Sequence, residues 1–100
     1  MAQQFSWQRS GDILRLQGVL EEETLAPLWE ARHEATSGLR VIELNGLERV
    51  DTAGLALLIQ LVALVKKQGV ALRMEGGSEN LMTLAKLYNL PENLMPLPAS

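Results

Sequence analysis

The stretch from Asp51 to Gly69 holds a single polar side chain, Gln60, between Gly54 and Lys66. It opens on a capping residue and closes with Lys66, Lys67, Gln68 and Gly69, which complements the backbone dipole at both ends of a helix. The segment reads as one helix. A helix that is apolar nearly all round is covered on more than one side. At about 100° per residue, Leu55, Leu58, Ile59, Leu61, Val62 and Val65 share a broad face that belongs to the core. The opposite stripe carries Ala53, Ala56, Gln60, Ala63 and Lys67, flanked by Leu57 and Leu64. Two readings of that stripe stand: good helix formers lying in water, or a low, sticky surface that a second molecule covers.

The rest of the chain arranges itself around this helix. Phe5 to Arg9 and Ile13 to Gly18 alternate apolar and polar residues across Ser10-Gly11-Asp12, the pattern of an antiparallel hairpin. Trp7 is large enough to cover one end of the sheet. Thr24 stands as a cap for a helix reaching about Thr36, with Pro27 in its first turn, where a missing N–H does no harm. On it Leu25, Leu28, Ala31 and Ala35 form the buried stripe and Trp29 falls at the rim beside Arg32. Rim packing accounts for such a tryptophan, and so does a role as a partner anchor. Arg40 to Leu44 is a short strand central in the sheet, broken by Asn45-Gly46, and Val50 leads into the key helix at a strand's carboxyl end, where binding sites of open α/β sheets sit. Val70 to Glu75 gives the last strand. Gly76-Gly77 turns the chain, and Ser78 caps a helix from Glu79 to Leu87 with Leu81, Leu84, Ala85 and Tyr88 inward. Strands alternating with helices imply an α/β fold: a mixed sheet of about four strands with helices mainly on one side. Residues 1–100 make one domain, with 1–4 and 95–100 frayed.

Composition narrows the function. Cysteine is absent, which removes disulfides, thiolate metal sites and a cysteine nucleophile. A net charge of −3 without a basic cluster argues against nucleic acid as the partner. The acidic run Glu21-Glu22-Glu23 precedes a helix start, where negative charge is favourable. The first ten residues lack a basic region followed by an apolar run, and the longest apolar segment is shorter than the roughly 20 residues of a membrane span. A role at a membrane therefore implies attachment through another protein.

Catalytic groups are few. His33 is the one histidine, mid-helix and without a second metal ligand. Gly76-Gly77-Ser78 lacks the glycine and lysine pattern of a phosphate loop. Asp51-Thr52-Ala53-Gly54 is not a nucleophile elbow, because no histidine is placed to activate Thr52. The sequence points to a non-enzyme with no cofactor and no metal. Thr52 stands at a helix N-terminus. Either it or Asp51 caps the first turn, and the Thr52 hydroxyl is also placed to contact a partner or to accept a phosphoryl group, whose added charge would switch binding.

Val50-Asp51-Thr52-Ala53-Gly54-Leu55, together with the order of elements, resembles the STAS domain shared by anti-sigma factor antagonists and sulfate-transporter tails. Gly11-Asp12, Leu25 to Glu30, Asp51 to Leu58, Lys66 to Gly69 and Leu84 to Pro91 extend the resemblance over nearly the whole chain, towards the STAS subunits of phospholipid-transport ABC complexes of Gram-negative bacteria. The resemblance implies an accessory protein on the cytoplasmic side of the inner membrane. Its direct partner would be an ABC ATPase subunit, with a permease and a lipid-binding subunit completing the assembly. Thr52 carries over as the regulatory contact or phosphorylation position, and Trp29 as a contact within Leu-Trp-Glu. Many antagonists have serine where this chain has Thr52, which favours contact over phosphorylation. The partner-binding set expected is thus Trp29, Asp51, Thr52, Ala53, Ala56, Leu57 and Gln60. An anti-sigma factor antagonist switched by phosphorylation of Thr52 is the alternative.

Overall fold

A two-residue turn, Gly11-Asp12, joins β1 (Phe5–Ser10) to β2 (Ile13–Leu20), which pair antiparallel with Ser10 opposite Ile13. Gly11 supplies the positive φ, 59°, that such tight hairpin turns require. The computed structural model describes residues 4–98. Of the ends expected to fray, residues 1–3 and 99–100 lie outside that range. Two residues within it are held in place: the Gln4 carbonyl accepts from Val19 N at 2.9 Å, and Met95 is buried in the core.

β3 (Val41–Val50) runs parallel to β2, and β4 (Arg73–Glu75) parallel to β3, giving one mixed sheet in the order β1-β2-β3-β4. Asn45-Gly46 does not break β3. Arg15 lies opposite Glu43 but Gln17 opposite Gly46, and Gly18 lies opposite Leu47 but Val19 opposite Arg49, so each extra residue is taken up in a bulge. Gly46 is a close-approach residue, since a Cβ there would press on the Gln17 side chain and the Leu16 carbonyl. β4 is shorter than the apolar run suggests because its pairing starts where β3 starts: Arg73 N donates to Arg40 O at 2.9 Å, and Val41 faces Arg73. Val70 and Leu72 pack against the core without joining the sheet.

In place of one helix from Thr24 to Thr36 there are two, α1 (Ala26–Glu30) and α2 (Arg32–Thr36), parted at Ala31 with φ −95° and ψ 12°. At the break the Trp29 carbonyl accepts from Arg32 Nη1 at 2.8 Å. Leu25 holds the capping position, and Thr24 binds the preceding turn instead, donating to the Val19 carbonyl and accepting from Glu21 N. Pro27 does stand in the first turn.

The long helix, α3 (Thr52–Lys67), buries Leu55, Leu58, Leu61, Val62 and Val65 as the pattern requires. Ile59 is only half-buried, and Leu57 is buried in its place. The exchange follows from the neighbours: α2 and α4 as well as β3 lie against α3, so the covered arc is wider than one sheet-facing stripe. α4 (Glu79–Leu87) is capped by the Ser78 hydroxyl, which accepts from Leu81 N at 3.2 Å. Leu81 is buried and Leu84 and Ala85 are half-buried, but Tyr88 is exposed. It sits past the last turn, where Asn89 takes φ 51° and redirects the chain. The helices cover one face of the sheet. The other shows Ser6, Gln8, Arg15 and Gln17 to solvent, with an Arg15–Glu43 ion pair at 3.2 Å.

Candidate partner-binding surface

Leu20 and Val50 end their parallel strands opposite each other, so the loop after β2 and the start of α3 leave the same end of the sheet. Asp51 stands at that junction in extended backbone and fills the cap. Its Oδ1 accepts from Gly54 N at 2.8 Å, its Oδ2 accepts from Glu22 N at 3.0 Å, and its own N donates to Leu20 O at 3.2 Å. With the cap supplied by Asp51, Thr52 is the first helical residue and is exposed.

Gly54 is buried where the first turn of α3 meets the strand ends. A Cβ there would collide with the Leu20 carbonyl oxygen and crowd the Leu20 and Val50 side chains. The tetrapeptide thus divides its work by position: a carboxylate to cap, an exposed hydroxyl, a small residue, and a glycine that lets the helix sit against the strand ends.

From Thr52 the exposed line continues through Ala56 and Gln60 to Lys67, with Ala53 and Ala63 half-exposed beside it. Leu57, expected among the contacts, lies 3% exposed in the core and adds no outer surface. Leu64 is half-buried. Apart from Lys67, the line beyond Asp51 carries no ionisable group. It can make contacts and hydrogen bonds but has no proton to move.

Trp29 lies on α1, 39% exposed, with the Arg32 guanidinium carbon 3.9 Å from its ring centroid. Stacking of this kind favours one orientation of an aromatic ring. The i, i+3 spacing of Trp29 and Arg32 was the signal for it in the sequence. Two further contacts had no sequence signal: the Glu22 amide on Asp51, and Asn80 Oδ1, which accepts from Val50 N at 2.7 Å and keys α4 to the end of β3. Leu87, Tyr88 and Leu94 are also exposed, around the far end of α4 and the segment after it. His33 is exposed on α2, and among the described residues no cluster of three His, Asp or Glu side chains is placed to hold a metal ion.

A family model described as "Mlab, STAS domain" matches residues 3–96, and the chain belongs to that family. Its fold is similar to that of the anti-sigma factor antagonist SpoIIAA in its unphosphorylated form, with a TM-score of 0.63 at 11% identity over 96% of this chain and 87% of that one. Among curated proteins it is 48% identical, over 96 residues, to the intermembrane phospholipid transport system binding protein MlaB of Escherichia coli K12 and to that of Shigella flexneri. The alignment covers 96% of this chain and 99% of each relative. Among the described residues no helix is long and apolar enough to cross a membrane.

Proposed function

We propose that the chain is a non-enzymatic accessory subunit of an inner-membrane phospholipid-transport ABC system that maintains outer-membrane lipid asymmetry. It binds the ATPase subunit, MlaF in the system of its relatives, on the cytoplasmic side, and the permease MlaE and the lipid-binding MlaD complete the assembly. The docking surface is the amino-terminal end and outer line of α3, with Thr52 near its centre and Trp29 at its side. The observation that carries this reading is an exposed, uncharged, low line of Ala56 and Gln60 headed by a hydroxyl that capping leaves free. The relatives' name supplies the system.

Binding stabilises the assembled or nucleotide-competent form of the ATPase, to the extent that the two forms differ in affinity for this chain. A phosphoryl group on Thr52 would put about two negative charges beside Asp51 and would act as a release signal. Co-purification with the ATPase subunit is the test. Thr52→Glu and Trp29→Ala are each expected to weaken recovery of the pair, and unchanged recovery with both would show that the surface lies elsewhere.

A further inference from the structure

The Asp51 carboxylate joins two parts of the molecule that the docking surface draws on separately. One oxygen caps α3, which presents Thr52, and the other accepts from Glu22 N at 3.0 Å. From that loop a chain of hydrogen bonds leads to Trp29. The Thr24 hydroxyl accepts from Glu21 N and donates to the Val19 carbonyl, Leu25 N donates to Glu21 O, and Trp29 N donates to Leu25 O. Arg32 then stacks on the ring. We infer that Asp51 is a positioning residue, a clasp that sets Trp29 and Thr52 relative to each other before the partner arrives. The inference rests on the docking surface of the proposed function.

Both carboxylate oxygens are needed for this. Serine at 51 would cap the helix but has one oxygen, and asparagine would cap with its carbonyl while turning an NH2 donor towards the Glu22 N–H. Either change keeps α3 and releases the Glu22 amide, which loosens the loop that leads to Trp29 while Thr24, buried Leu28 and the Arg49–Glu21 pair still anchor it, so part of the binding energy goes into ordering that loop.

The test compares the affinity of the purified ATPase subunit for the parent chain, Asp51→Ser, Asp51→Asn, Trp29→Ala and the double variant Asp51→Ser/Trp29→Ala. Thermal unfolding serves as a fold control, and hydrogen exchange is followed at the Glu22 amide. Both Asp51 variants are expected to unfold cooperatively close to the parent, with faster exchange at Glu22 and affinity reduced about fivefold, the worth of one hydrogen bond. Should serine weaken the fold, asparagine, an equally good cap, carries the comparison. Because the clasp acts through Trp29, replacing Asp51 should cost little affinity once Trp29 is alanine. An equal loss in both backgrounds, or no loss in either, overturns the positioning role. If Trp29→Ala and Thr52→Glu bind like the parent, the docking surface itself is wrong and the clasp falls with it.

Discussion

Glycine 54 reverses an ordinary rule. In a helix interior, glycine to alanine stabilises by about 1 kcal/mol, but here the added methyl meets the Leu20 carbonyl and forces the first turn of α3 off the strand ends. Gly54→Ala should therefore destabilise by about 1–3 kcal/mol, read as a lower urea midpoint. Its neighbours separate structure from presentation. Asp51→Ala should cost about 1–2 kcal/mol, the loss of a cap. Thr52→Ala, at an exposed position outside the cap, should stay within about 0.5 kcal/mol of the parent. Equal losses at the two positions in denaturant titrations would mean that the hydroxyl shares the capping. The sequence offered both residues as caps, because each type satisfies the same backbone donors. Only the side-chain geometry separates them.

Elements were legible where their own residues decide them and obscure where neighbours do. The ends of α3 and α4 are written locally, in Asp51 and Ser78 at their starts and in glycine or asparagine after their last turns. The buried arc of α3 is not, because α2 and α4 reach it from sides that helical periodicity cannot anticipate. Leu57 is the instance: its place in the pattern is the outer flank, and its place in the molecule is the core. Leu57→Ala should cost about 2–5 kcal/mol of stability, and a temperature at which the variant stays folded should show partner affinity little changed. The same limit hid the length of β3. Asn-Gly ends many strands, but here β2 closes over Gly46 and the strand runs on through two bulges. The break at Ala31 was equally hidden, since alanine is the best of helix formers.

For the whole molecule, the layering makes its two broad sides different in character. Helices occupy one face of the sheet and leave polar side chains on the other, where the Arg15–Glu43 pair is exposed and worth little. The candidate surface lies on the outer side of the helical layer, so Gln8→Lys on the open sheet face should co-purify with the ATPase subunit as the parent does. The fold class was readable from the alternation of strands and helices, and the resemblance around Asp51 to Leu55 gave the family. How Thr52 and Trp29 come to be related could not be read, because it depends on two strands stopping in step some thirty residues apart.

That pairing of Leu20 with Val50 also bears on the order in which the chain is expected to fold. The first hairpin closes over a short loop and can form early, whereas a parallel pair waits for a distant stretch of chain to return. A copy holding only its hairpin would lack the strand ends that carry the proposed surface, so on that reading a partner would bind the finished fold and pass over the unfinished one.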